Sequence, residues 1–252
     1  MAGTILYLEN VTVSFDGFKA VDSLNTYVKY GELRFLIGPN GAGKTTLLDV
    51  ICGKVKPATG RVVFKEDIDI GSKQEYEIVQ LGIGRKFQAP SVFGNLTVFE
   101  NLELAIQKER GIWASLFGKL TSEQRDKIFA ILETIGQLEK AHEKAETLSH
   151  GEKQWLEIGM LLVQEPEMLL LDEPVAGMTK KETEKTGELL RAIAKDRSVL
   201  VVEHDMEFVR NFAEKVTVMH EGKILCEGSM EQVQSDPRVV EVYLGRGGDS
   251  HA

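Results

Sequence analysis

One run of eight residues, Gly38-Pro39-Asn40-Gly41-Ala42-Gly43-Lys44-Thr45, follows the pattern G-x-x-x-x-G-K-[ST]. Its glycines let backbone N–H groups close around phosphate oxygens with no Cβ in the way. Lys44 brings a point charge for the outer phosphates, and Thr45, with Thr46 beside it, offers a hydroxyl to Mg2+. The run leaves an apolar stretch, Leu33 to Ile37, and enters a helical one that ends at Gly53, so a helix N-terminus adds its positive end. Strand, loop and helix in that order are the context the motif requires, and the chain reads as binding a nucleoside triphosphate.

Two further places hold side chains suited to the same chemistry. Leu169-Leu170-Leu171-Asp172-Glu173 puts two carboxylates at the C-terminal end of an apolar strand, where open α/β sheets bind ligands. Asp172 suits Mg2+, directly or through water, and Glu173 suits the water that attacks a γ-phosphate. Read alone, Asp-Glu-Pro is as well a solvated loop start. His204 ends the next apolar strand, in Val201-Val202-Glu203-His204-Asp205. A single histidine there is commonly structural; its place beside the Asp-Glu pair gives it reach to the same phosphate.

These residues need a frame of strands and helices, and the patterning supplies one. Val11, Val13 and Phe15 alternate with Thr12, Ser14 and Asp16, the period of a half-buried strand, and Asp16-Gly17 reads as a turn. Pro57, Thr59 and Gly60 turn the chain into a strand at RVVF. Leu96 to Val163 is helical in character, and Thr121 with Gln124 forms a capping box ahead of Ile128, Ile131, Leu132 and Ile135. Met168 to Leu171 and Ser198 to Val202 are apolar throughout, as parallel strands buried on both faces are, with a charged helix at Lys180 to Lys195 between them. Val216 to Met219 and Lys223 to Cys226 flank His220-Glu221-Gly222 as a hairpin.

Composition bounds the partners. Thirty Lys and Arg against 39 Asp and Glu leave a net charge of −9, which argues against a nucleic-acid surface. No apolar run approaches the roughly 18–20 residues of a membrane span, and the opening MAGTILYLEN lacks the regions of a signal peptide. Cys52 and Cys226 are too few for a disulfide framework and sit in no metal-ligand spacing.

Six segments in fixed order resemble the ATP-binding subunits of ABC transporters, over essentially the whole chain from Leu6 to Gly245. Leu148-Ser149-His150-Gly151-Glu152-Lys153-Gln154 is similar to the family's signature, with Ser149 and Gly151 intact. His150 and Glu152 depart from the common residues; Ser149-x-x-Glu152 is also a capping box, with the Glu152 side chain expected to turn away from phosphate. By the same resemblance Gln88 is the Q-loop glutamine and a Mg2+ contact, Phe15 stacks on adenine, Val21 flanks it, and His204 is the switch histidine. Pro174 to Met178 stands where the dimer-contacting loop belongs, although Val175-Ala176-Gly177-Met178 departs from its usual residues.

The resemblance implies an α/β fold: a P-loop NTPase core of mostly parallel sheet, an N-terminal antiparallel β subdomain and an inserted α-helical subdomain. The expected boundaries are one domain over 5–245, with core segments 5–88 and 165–245, a helical insertion at about 89–164 and a tail at 246–252. It further implies an ATPase that sandwiches two ATP molecules with a second ATP-binding subunit, identical or related. Lys44, Glu173 and His204 are its catalytic residues. Two membrane permease subunits and, indirectly, a periplasmic solute-binding protein complete the partners. The seat is peripheral, on the cytoplasmic face of the plasma (inner) membrane. Pro90, Val92, Phe93, Leu96 and Val98 offer an apolar surface to the permease or pack into the chain's own core. Glu241 to Gly245 and Val202 to Met206 look like the importers of the branched-chain amino-acid group. LSHGEKQWLEIGMLL and LLLDEPVAGM are similar to its urea-import branch. Export is the alternative to import, although exporters often fuse membrane and ATPase parts; a chromosome-maintenance ATPase would instead carry long heptads and a basic surface, and a translation ATPase two nucleotide units.

Overall fold

The computed structural model describes residues 3–86, 92–106 and 120–244. They fall into two units: one takes the chain up to Arg85, Glu167–Glu173 and the residues from Leu190 on, the other Lys86–Pro166 and Pro174–Leu189.

The first unit opens with a hairpin of β1 (Thr4–Phe15) and β2 (Phe18–Lys29). Its turn residues Asp16 (φ 49°) and Gly17 (φ 87°) both take positive φ, the two-residue geometry whose twist matches the strands it joins. β4 (Thr59–Phe64) pairs antiparallel with β1, and the two-residue β5 (Ile68–Asp69) with β4. The second sheet contains β3 (Leu33–Ile37), β6 (Ile83–Lys86), β7 (Met168–Asp172), β8 (Ser198–Val202), β9 (Lys215–His220) and β10 (Lys223–Gly228), in the order β10-β9-β3-β8-β7-β6. β9, β3, β8 and β7 pair in parallel, and β10 returns antiparallel on β9. All residues of β3, β7 and β8 are buried, which is why these segments are mostly apolar without alternation, with Arg34, Asp172 and Ser198 the polar members.

Between the sheets Leu6, Leu8, Val11, Val13 and Val21 share one apolar core with Leu47, Leu48 and Ile51 of α1 (Lys44–Ile51) and with Leu170, Leu200 and Met219. The register decides where chemistry can gather. Val202 pairs with Leu36 on one side and Asp172 on the other, so β3, β7 and β8 end together. The segments that leave them, beginning at Gly38, Glu173 and Glu203, emerge along one sheet edge.

The second unit is helical. α2 (Glu75–Leu81) precedes β6 in the first unit; α3 (Val98–Ala105), α4 (Ser122–Thr134) and α5 (His150–Leu162) form the second, with α6 (Lys180–Ala194) as far as Leu189. α3, α4 and α5 each begin with a complete capping box, from Thr97, Thr121 and Ser149, which satisfies donors that a helix start otherwise leaves bare. Leu102, Ile128, Leu132, Ile135, Ile158 and Leu162 are buried between them. A Cβ at Gly159 would stand 2.9 Å from Ile135 Cδ1, so α5 needs glycine there to approach its neighbours. Lys86 Nζ meets Glu157 Oε2 at 3.1 Å with both side chains 5% exposed, an ion pair inside this unit. α7 (Met206–Phe212), α8 (Met230–Ser235) and α9 (Pro237–Leu244) close the chain in the first unit.

Candidate nucleotide site

The loop from Gly38 to Gly43 is shaped by backbone that comes too close for side chains. A Cβ at Gly38 would stand 2.2 Å from the Met219 carbonyl oxygen, and one at Gly43 2.2 Å from that of Ala20. Gly43, at φ 99°, is the N-cap of α1 and contributes no side-chain acceptor, so the first-turn N–H groups of α1 face outward unspent on a cap. Lys44 folds back over the loop, donating to the Gly38 carbonyl at 2.7 Å and to that of Pro39 at 3.0 Å. Burial pulls the Lys44 ammonium below the usual lysine range, while Glu173 and Asp172 pull it back. Asn40, Gly41 and Thr45 are exposed, and Pro39 and Thr46 half-buried, so the rim is open to a ligand; Ala42 is buried.

Asp172 closes β7 at 4% exposure, and its Oδ1 is buried without a hydrogen-bond partner. Burial raises its pKa; the Arg85 guanidinium opposes that, and Glu173 and Asp49 add to it. Arg85 NH2 lies 4.0 Å from Asp172 Oδ2, while NH1 meets Asp49 Oδ1 at 2.5 Å and Cys52 Sγ at 3.0 Å. Glu173 follows with a left-handed backbone, φ 49°, fixed by its N–H donating to the Val202 carbonyl at 2.9 Å. That conformation is uncommon outside glycine. It brings Glu173 Oε1 to 3.5 Å from Nδ1 of the exposed His204. Phe15, at the end of β1, is 49% exposed and free to offer a ring face. Val21 is fully buried in the core.

In the helical unit Ser149 caps α5 by accepting from the Glu152 N–H at 3.2 Å, and Glu152 accepts from the Ser149 N–H at 3.0 Å. The other Glu152 oxygen meets Lys140 Nζ at 2.8 Å, so this carboxylate is engaged by the cap and by a cation, as the capping-box reading expects. Burial works against its ionised form, but Lys140 and Ser149 together hold it below the usual glutamate range. His150 Nε2 lies 3.0 Å from the Ala176 carbonyl and Gly151 is buried, so the signature and the loop Pro174–Met178, each unusual in sequence, are in direct contact.

The family model described as "ABC transporter" matches residues 21–176, and one described as "Branched-chain amino acid ATP-binding cassette transporter" matches 223–249. The chain belongs to the ABC transporter family. It is 35% identical to the high-affinity branched-chain amino acid transport ATP-binding protein LivG of Escherichia coli K12, over 97% of this chain and 99% of that one. It is 38% identical to a probable LivG of Methanocaldococcus jannaschii, over 96% and 97%. A crystal structure of the ADP conformation of an ABC-transporter cassette superposes with a TM-score of 0.85 at 36% identity, covering 96% of this chain and 99% of that one. The fold is therefore the ABC cassette, a P-loop NTPase with an antiparallel β subdomain, and this subunit is the ATP-binding, ATP-hydrolysing motor of a transporter.

The residues present fit Mg2+. Mg2+ sites use one or two carboxylates completed by phosphate and water; the unpartnered Asp172 Oδ1 would suit such a site, with the Thr45 hydroxyl at the start of α1. Gln88 and Pro90 lie outside the described residues. Of the proposed apolar surface, Phe93 is 55% exposed while Val98 is fully buried. Sequence reading missed Arg85 and Glu182. Thr179-x-x-Glu182 is itself a capping-box pattern, which would have marked Glu182 as a helix-start residue. The contacts of Arg85 join positions far apart in sequence and leave no local signal.

Proposed function

We propose that this subunit drives an importer of the branched-chain amino-acid group and that the solute is urea. The observation that carries the motor's chemistry is the shared end of β3, β7 and β8, which gathers Lys44, Asp172, Glu173 and His204. ATP lies with its phosphates in the Gly38–Thr46 loop and its adenine on Phe15. Asp172 and Thr45, with Gln88, would hold Mg2+, which would supply positive charge to the outer phosphates. A second subunit, identical or related, offers its own Ser149 and Gly151 to the γ-phosphate. Glu173 accepts a proton from the attacking water, and His204 orients that carboxylate and the γ-phosphate. Loss of the γ-phosphate link opens the pair, and that closing and opening is transmitted to two permease subunits at the cytoplasmic face of the membrane. Among the described residues no helix is long and apolar enough to cross a membrane.

The urea reading is supported by the similarity of LSHGEKQWLEIGMLL and LLLDEPVAGM to the urea-import branch, two segments joined here by the His150–Ala176 contact. A second reading, branched-chain amino acids, is favoured by the names of the relatives. Uptake separates them: deleting the gene and measuring labelled urea and labelled leucine at low external concentration should remove urea uptake alone, and loss of leucine uptake alone would discard the urea assignment. Glu173→Gln should keep ATP binding, abolish nearly all turnover and trap an ATP-bound pair. An undiminished hydrolysis rate would remove Glu173 from the base role.

A further inference from the structure

Ser149 owns a single hydroxyl hydrogen. It is directed at Glu182 Oε1, 3.1 Å away, while its oxygen accepts the Glu152 N–H. The hydroxyl is thus committed on both sides. The same Glu182 carboxylate lies flat against Gly151: a Cβ there would stand 2.5 Å from Glu182 Oε1 and 2.6 Å from its Cδ. An anion therefore covers both signature residues to which the proposed function assigns a phosphate.

Glu182 has a second home. Its Oε2 accepts from the Thr179 N–H at 2.9 Å and from the Thr179 hydroxyl at 2.8 Å, bonds that do not involve Ser149. Those donors hold the carboxylate below the usual glutamate range, so it is ionised at neutral pH. Glu152 is neutralised by Lys140, which leaves Glu182 as the anion set against the Ser149 hydroxyl. A carboxylate and a γ-phosphate repel at such separations and compete for the same hydrogen.

We propose that Glu182 is a positioning residue for the signature, occupying Ser149 and Gly151 in the nucleotide-free subunit and yielding them, by falling back on Thr179, when the paired subunit presents ATP. This rests on the proposed role of Ser149 and Gly151. Glu182 would then set the ATP level at which the pair closes. A purely structural Glu182, bolting α6 to α5, gives the opposite sign: its removal would loosen the signature and weaken the pair.

The test compares Glu173→Gln with Glu173→Gln/Glu182→Gln by sedimentation with ATP and Mg2+, each alone and mixed with the related ATP-binding subunit. Removing Glu182's charge should lower the dissociation constant of the ATP-bound pair by about 5- to 150-fold, the usual range of site-to-site coupling. In the assembled transporter Glu182→Gln should lower the KM for ATP more than it changes kcat. An unchanged or raised dissociation constant overturns the proposal, even if thermal melting shows the variant folded. Thr179→Ala, which weakens the fall-back site while leaving Glu182 on Ser149, should not strengthen the pair. Equal strengthening by Thr179→Ala would assign the effect to the helix cap and overturn the proposal. If Glu173→Gln binds ATP and pairs but Glu182→Gln adds nothing, Glu182 alone is misassigned; if Glu173→Gln binds no ATP, the nucleotide reading falls with it.

Discussion

Burial keeps the Asp172 carboxyl above the ordinary carboxylate range despite the Arg85 guanidinium, so its charge opposes folding. The sign of the pH dependence follows. A carboxylate with a raised folded pKa binds more protons when folded, so its contribution to stability falls as pH rises from the usual 3.8 through that raised value. Asp172→Asn should therefore stabilise the nucleotide-free subunit by on the order of 1 kcal/mol near neutral pH, as replacements at functional sites do. The gap from wild type should close in acid, and urea melts across pH would measure it. The same variant should lose the Mg2+-dependent stabilisation that ATP confers. At this scale the loop and the Asp-Glu pair were legible because their spacing is local. Arg85 and Glu182 were not, since a buried ion pair or a borrowed hydroxyl joins residues that sequence keeps apart.

Strands, hairpins and helix starts were legible because each is written in neighbouring residues. Unbroken apolar runs became the central strands, Asp16-Gly17 and Glu221-Gly222 became positive-φ turns, and the Thr121 capping box formed with both its bonds. α2, capped by Gln74 with Glu77, and the two-residue β5 escaped notice because they are short and mostly exposed, with little apolar periodicity to read. Loop glycines differ in what they permit. Gly43→Ala meets both a left-handed backbone and the Ala20 carbonyl, whereas Gly41, at φ 81°, has nothing within 4 Å of a Cβ. Gly41→Ala should cost only the backbone penalty, about 1–3 kcal/mol. Gly43→Ala should cost more and abolish ATP binding; chemical denaturation and fluorescent-nucleotide titration would rank the two.

The whole molecule carries one loop and one signature, so under the proposed mechanism a lone subunit lacks half of each ATP site. Specific ATPase activity should rise with protein concentration, or on addition of a related subunit, and a rate strictly proportional to concentration at nanomolar levels would contradict that. The buried Lys86–Glu157 pair has another kind of consequence, one for descent. Replacing Glu157 alone takes this carboxylate away from the buried Lys86 ammonium, a loss of about 3–5 kcal/mol, a large share of the stability of most domains. A lineage can exchange the pair for an apolar one at little cost, but only by crossing a generation in which one partner is missing. Positions 86 and 157 should therefore be inherited together, changing in tandem or not at all, although seventy residues of sequence lie between them.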